Sequence, residues 1–410
     1  MDVIVVGAGL AGLHCALRIS EKYPHHKIMI LDSYSKPGGR VDTIHHGDLQ
    51  WEAGAGRIPK SHKMISSYCN KYGLTRFPIS SDSSYLDGIE LKENVWNLVS
   101  SSMQDVISKT PKATLGHYTM YEILSKLFSK PVVDELISYF PYRSELTTLR
   151  ADRAFPKELS AEESFYGIKE GLSAIIDGMV GELAARGIKV QTDCRVTGFG
   201  TLDHFPMHLH CVTPHGMKTF SGKKIIFAVH SNALKKIRPF STYPILKHLK
   251  MTPLLRIYSV FPKAGGSQGK VWFEDMPRIV TQAPLRHIIP VNPAKGLIMS
   301  SYTDAEDTLF WHVKSKAYVA KALLDQLRKS FPMKTIPNPL YTKSYYWADG
   351  CTYWTPGSYD PAKESVDIMR PFPVRLPDVY VCGESYSMKQ AWMEGALEHA
   401  EAMLQKFFFR

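Results

Sequence analysis

Apolar residues gather in short continuous runs near both ends of the chain and give way to helical and alternating spacings between them. Residues 1–6 (MDVIVV) form a β-branched run that predicts a buried strand. A glycine turn, Gly7-Ala8-Gly9-Leu10-Ala11-Gly12, leads into helix-compatible residues 13–23, and residues 28–31 (IMIL) predict a second strand that ends at Asp32. Met64, Ile65, Tyr68 and Cys69 are spaced for a helix that stops at Gly73, after which residues 76–95 are polar and read as an irregular insertion. A helix over about 118–128, a break at Pro131 and a second helix to Phe140 predict a helical region reaching about residue 160. Residues 171–186 predict a helix closed by Gly187, then a strand over 189–196, and 224–229 (KIIFAV) reads as a buried strand. Alternation such as Arg256-Ile257-Tyr258-Ser259-Val260, with turns at Gly265-Gly266 and Pro293, predicts a second sheet between 245 and 347. A strand at 379–382 and a helix opening at 391–396 close the chain.

The first forty residues carry the chemistry most openly. Gly7 permits the tight turn, Gly9 lets backbone N–H groups approach a pyrophosphate, Gly12 lets helix and strand pack closely, and the helix N-terminus attracts phosphate charge. Asp32, twenty residues after Gly12, stands where a ribose diol donates hydrogen bonds. Gly38-Gly39-Arg40 follows: two glycines bring backbone close to a ligand, and an arginine adds a forked cation for phosphate or the negative end of a flavin ring.

Composition bounds the rest. With 410 residues, 44% of them hydrophobic, the chain can bury a sizeable core in two or so joined domains. A net charge of +11 reads mainly as a solvated surface, since its basic pairs are scattered; no nucleic-acid partner is expected. Six widely spaced cysteines without a CxxC indicate neither zinc nor a disulfide framework and suit a reducing compartment. The sixteen histidines show no metal-ligand spacing, so no metal is expected. A first strand starting at residue 2 leaves no room for a leader, and no apolar run reaches the ~18 residues needed to span a bilayer, so the expected location is cytoplasmic, without a membrane.

The glycine turn, the Gly38-Gly39-Arg40 loop and the terminal Gly383-Glu384 followed by Trp392-Met393-Glu394-Gly395 together resemble the flavin-containing amine oxidase superfamily over nearly the whole chain. The resemblance implies an α/β fold with a Rossmann-like FAD-binding domain (residues 1–75, 161–240 and 371–410), a helical subdomain (76–160) and a substrate domain of mixed sheet plus helices (241–370). It implies FAD held by Gly7, Gly9, Gly12, Asp32, Gly39, Arg40, Gly56, Arg57, Val196, Gly383, Glu384, Trp392 and Met393, with Val196 near the adenine and the last helix facing the flavin. Cys351 reads as an ordinary buried thiol, with covalent flavin attachment as the lesser alternative.

Residues 51–59 (WEAGAGRIP) point to the substrate. Their arginine resembles the one with which the L-amino-acid oxidase branch, and especially its short tryptophan-oxidising members, clamps the substrate carboxylate. A planar guanidinium suits that task because it binds a carboxylate through two parallel hydrogen bonds. The resemblance implies that Tyr302 shares the carboxylate with Arg57 and that Tyr142 and Trp392 line the pocket. It also exposes a departure: Arg256 stands where the superfamily usually has a lysine, and an arginine cannot act as a base, though it can orient water or bind a second acidic group. The expected activity is oxidation of a large or aromatic L-amino acid by O2, giving H2O2 and an imino acid that hydrolyses to a 2-oxo acid and ammonia. Two alternatives are an amine or polyamine oxidase, in which Arg57 is structural, and a catalytically weak FAD-binding scaffold that works through a partner. Tyr345, Tyr346, Trp347, Tyr353 and Trp354 suit either an aromatic cage or core, and a homodimer is possible by resemblance.

Overall fold

The computed structural model describes residues 1–80, 83–93, 95–154, 163–201, 207–266, 269–371 and 378–410. Residues 155–160, the end of the expected helical region, and 372–377, near the start of the last expected segment, lie outside the described residues.

The β-branched run at the start forms the strand Val3–Val6, which sits at the centre of a five-stranded sheet. Ile28–Leu31 and then Val190–Gln191 extend it on one side, Lys224–Phe227 and Val379–Val381 on the other. All four pairings are parallel, so the sheet gathers distant chain segments. Such a sheet must be covered on both faces, which explains why its strands are continuous apolar runs rather than alternating ones. Helices Leu10–Lys22, Ser173–Ala185 and Met393–Met403 bury their apolar sides in one core with Val3, Val5 and Ile30. Gly12 is required there: a Cβ on it would lie 1.9 Å from the carbonyl oxygen of Gly7. The predicted strand over 189–196 is split, because Asp193 turns the backbone at a φ of 50° and sends Arg195–Thr201 into a separate three-stranded sheet.

The second sheet has seven strands, in the order Tyr341–Trp354, Leu249–Val260, Leu297–Asp304, His287–Asn292, Arg278–Val280, Ser83–Asp87 and Glu90–Lys92. Its last two members come from the stretch expected to be irregular. Glu90–Lys92 forms the edge and is exposed throughout, which accounts for its polar character, whereas Ser83–Asp87 lies inside it with Ser84, Tyr85 and Leu86 buried. The register pairs Arg256 with Tyr302 on one neighbour and with Tyr345 on the other. Helix Lys316–Ser330, inside the stretch read as strands, packs Val319, Ala322, Leu323 and Leu327 into the core behind this sheet. That spacing is helical, and the surrounding alternation concealed it.

A group of helices forms a core of its own. Val95–Lys109 begins it, and Thr119 with Glu122 forms a capping box on Met120–Leu127. Pro131 lies in the first turn of Lys130–Ser138 rather than between two helices, a position where its missing N–H costs nothing. The short helix Arg143–Thr147 follows, with both carboxylate oxygens of Asp304 accepting from its first N–H groups, Arg143 N at 3.0 Å and Ser144 N at 2.8 Å. This cap fixes the helical region to the second sheet. Among the described residues no helix is long and apolar enough to cross a membrane.

Candidate active site

The glycine turn and the Gly38-Gly39 loop face one another. Gly38 N donates to the carbonyl of Ala8 at 2.9 Å, and a Cβ on Gly39 would come 3.8 Å from the Cα of Gly9. A Cβ on Gly9 itself would meet nothing nearer than the Gly38 carbonyl oxygen at 4.0 Å. Space is therefore kept in front of Gly9 at the N-terminus of helix Leu10–Lys22, which has no side-chain cap to occupy its first N–H groups. Asp32 is buried and holds its carboxylate at this turn, accepting from Ala8 N at 2.6 Å and Tyr34 N at 2.8 Å. Burial pushes its pKa up while those two N–H groups oppose the shift. Val196 lies nearby, two residues beyond Cys194, whose N–H donates to the Asp32 carbonyl at 2.7 Å.

At the far end, Arg40 joins Glu384 at 2.6 Å and also donates to the carbonyl of Gly350 at 3.0 Å. Glu384 is buried and accepts in addition from Ala391 N at 2.6 Å. Gly383 precedes it at a φ of 135°, a conformation that favours glycine. Trp392 is the N-cap of the last helix, Met393 its first residue, and no side chain caps its N-terminus. Glu394 instead reaches across to accept from Met64 N at 2.8 Å and Ile65 N at 2.9 Å, capping helix Lys63–Lys71. An open glycine cradle, a carboxylate at the strand end, and an uncapped helix following a partly buried Arg40–Glu384 pair fit FAD. Gly7, Gly9, Gly12 and Asp32 would hold its diphosphate and ribose, and the Arg40–Glu384 end its flavin half.

Arg57 lies beside this cradle in an aromatic surround. Its Nη2 donates to the Tyr142 hydroxyl at 3.3 Å, and its Cζ sits 4.0 Å from the centre of the Phe165 ring, 5.8 Å from Trp392 and 6.0 Å from Tyr142. Tyr142 meets Tyr302 edge to face at 5.6 Å, and the Arg256 guanidinium lies 4.5 Å over the Tyr302 ring. Arg256 Nη1 donates to the Glu52 carbonyl at 2.9 Å, and a Cβ on Gly56 would come within 3.2 Å of that same nitrogen, so Gly56 gives the guanidinium its room. Arg57, Tyr142, Tyr302, Arg256 and Trp392 thus share one site, next to the glycine that precedes Arg57.

The aromatic run on Tyr341–Trp354 does not close into one cage. Tyr353 and Trp354 are core, Tyr346 stacks on His312 at 3.6 Å, and Trp347 Nε1 donates to the Ala53 carbonyl at 2.8 Å. Cys351 is buried with its Sγ 3.3 Å from Thr252 Oγ1, and burial pushes its thiol up to about 12.

Three residues join the site without a sequence signal. Phe165 carries the Arg57 guanidinium. Glu145, in the first turn of helix Arg143–Thr147, has an enclosed Oε2 without a hydrogen-bond partner. Burial first, then the Asp304 carboxylate, push its pKa up to about 8 against the pull of Arg57. His287 is 2% exposed, stacks against Tyr302 at 6.4 Å, and has no partner on either ring nitrogen. Burial and four surrounding arginines hold it neutral. Among the described residues no group of His, Cys, Asp and Glu is placed to hold a metal.

Comparison with known proteins agrees with this geometry. The family described as "Flavin containing amine oxidoreductase" matches residues 117–402, and "NAD(P)-binding Rossmann-like domain" matches residues 5–72. A Bacillus subtilis (strain 168) protein named "Putative L-amino-acid oxidase YobN" is 22% identical over 460 aligned positions, covering 97% of this chain and 92% of its own. The L-amino-acid oxidase of Naja atra is 31% identical over 100 positions, covering 23% of this chain and 19% of the snake protein. That of Daboia russelii is 36% identical over 74 positions, 18% and 14% of the respective chains.

Proposed function

We propose, from the premise that this chain belongs to the flavin-containing amine oxidoreductase family, that it is an L-amino-acid oxidase acting on a large or aromatic substrate. The reaction converts the amino acid, O2 and water to a 2-oxo acid, ammonia and H2O2. One observation carries the reading. Arg57 presents a guanidinium oriented by Phe165 and Tyr142, and no carboxylate of a described residue lies within 4.0 Å of it. A guanidinium so held is available for the carboxylate that separates an amino acid from an amine.

FAD, when bound, supplies the two-electron acceptor that the side chains lack. Arg57 holds the substrate carboxylate, Tyr302 donates its hydroxyl to the same group, and Tyr142 and Trp392 exclude water from the pocket. Fixing the carboxylate sets the direction of the Cα–H bond, and orientation of that kind is worth several kcal/mol of the barrier. The buried thiol of Cys351, paired with Thr252 and with its pKa raised, supports non-covalent FAD. Six buried free thiols suit a reducing compartment, in line with a cytoplasmic protein.

Anaerobic loss of visible flavin absorbance tests this. L-amino acids should bleach the bound flavin while their decarboxylated amines and spermidine do not. Equal bleaching by amines would make Arg57 structural and the protein an amine oxidase; bleaching by nothing would favour the scaffold alternative.

A further inference from the structure

We infer that Arg256 is a second anion-binding residue of the substrate pocket and that the substrate is an acidic L-amino acid, one whose side chain ends in its own carboxylate. This rests on the amino-acid oxidase reading and replaces its large or aromatic side chain with an acidic one.

Three arginines are buried among the described residues: Arg150, Arg256 and Arg286. Arg150 pairs with Asp152 at 2.6 Å and Arg286 with Asp307 at 3.3 Å. Arg256 is 9% exposed, yet no carboxylate of a described residue lies within 4.0 Å of its guanidinium. Its neighbours include the Glu52 carbonyl oxygen, the Tyr302 ring and the Tyr258 side chain, and Gly56 leaves it room. An arginine holds its charge at any accessible pH, and removing that charge from water is costly unless an anion meets it.

The carboxyl groups nearby do not supply that anion. Both oxygens of Glu52 accept hydrogen bonds elsewhere, from Leu172 N and Thr43 Oγ1 at 2.9 Å each, and burial above all pushes this carboxyl up to about 7 against the opposing pull of the Arg256 charge. Glu145, with its pKa near 8, is largely protonated at neutral pH and presents a donor rather than a charge. His287 is neutral. Arg57 is half-buried and likewise has no carboxylate of a described residue within 4.0 Å, so two guanidiniums without a described counter-charge are joined through the contacts Arg57–Tyr142, Tyr142–Tyr302 and Tyr302–Arg256. An α-carboxylate satisfies one of them. The other calls for a second anion, and neutral His287, stacked against Tyr302, suits that anion as a hydrogen-bond donor.

The test compares isosteres on the FAD-loaded protein: L-aspartate, L-glutamate and L-2-aminoadipate against L-asparagine, L-glutamine, L-phenylalanine and L-tryptophan in anaerobic bleaching. Calorimetric titration with glutarate against butyrate reads binding without turnover. At least one acid should exceed its amide by about 100-fold in kcat/KM, the scale of a charge-assisted pair in a desolvated site. Glutarate should bind and butyrate should not. Arg256→Gln should collapse the acid-to-amide ratio, and Arg256→Lys, which keeps a cation, should retain part of it. Comparison of the unmodified protein's substrates stands even if Arg256→Gln fails to fold. If L-glutamine, L-phenylalanine or L-tryptophan reacts as fast as the acids, or if Arg256→Gln slows all substrates equally, the second anion site is wrong and the amino-acid oxidase reading stands. If no amino acid bleaches the flavin, both fall.

Discussion

Arg57 Nη2 donates to the hydroxyl of Tyr142 at 3.3 Å, which ties the segment beside the flavin cradle to the helix that Asp304 caps on the second sheet. The guanidinium is thus placed by two units of the fold and by the Phe165 ring 4.0 Å below it. Arg57→Lys keeps the charge but loses the planar fork and the stacked face. We expect kcat/KM for the best amino acid to fall by about 100-fold or more, on the order of 3 kcal/mol, with flavin content unchanged. Tyr142→Phe, which removes only the tether, should cost about tenfold or less, the scale of one hydrogen bond. Steady-state oxygen consumption with flavin quantified in the same samples decides it. A lysine variant with ordinary kinetics would remove the carboxylate clamp from the mechanism.

Gly9 and Gly12 belong to one motif but serve different ends, and their alanine variants should fail differently. A methyl on Gly12 would collide with the Gly7 carbonyl at 1.9 Å, so the first strand and helix must separate. Gly12→Ala should lower stability by several kcal/mol and give little soluble protein. A methyl on Gly9 meets protein only at 4.0 Å. Gly9→Ala should fold with an unchanged circular dichroism spectrum and emerge from gel filtration without flavin. Normal flavin retention in Gly9→Ala would mean the diphosphate does not approach this turn.

These contrasts also mark what the sequence could reveal. The parallel sheet was legible because a buried parallel strand must be apolar throughout, as Val3–Val6 and Lys224–Phe227 nearly are. The glycine turn was legible because close backbone approach leaves no room for Cβ at Gly12. The edge strand Glu90–Lys92 was not, since an exposed edge tolerates polar residues that resemble a loop. The same holds for Glu145 and His287. Their place follows from the Asp304 cap on helix Arg143–Thr147 and from sheet register, both long-range relations that leave no local pattern.

Glu145 makes the protein's stability depend on pH in a stated direction. Its pKa is raised from the usual value of 4.5 to about 8, so the folded state binds a proton that the unfolded chain releases earlier. Stability from this group is complete below about pH 4.5 and is lost as pH rises through about 8, at no more than about 1.4 kcal/mol per pH unit. Glu52, raised to about 7 chiefly by burial, acts with the same sign over a narrower window. Glu145→Gln keeps the shape and removes the titration. Its urea midpoint should lie close to the parent's at pH 5.5 and above it at pH 9, with Glu52 leaving a smaller slope in both proteins. The cause is the enclosed Oε2, which has no hydrogen-bond partner to stabilise its charge. Were the variant instead less stable at pH 9 than the parent, Glu145 would be an ionised partner of Arg57, and the charge balance that calls for a second substrate anion would fail with it.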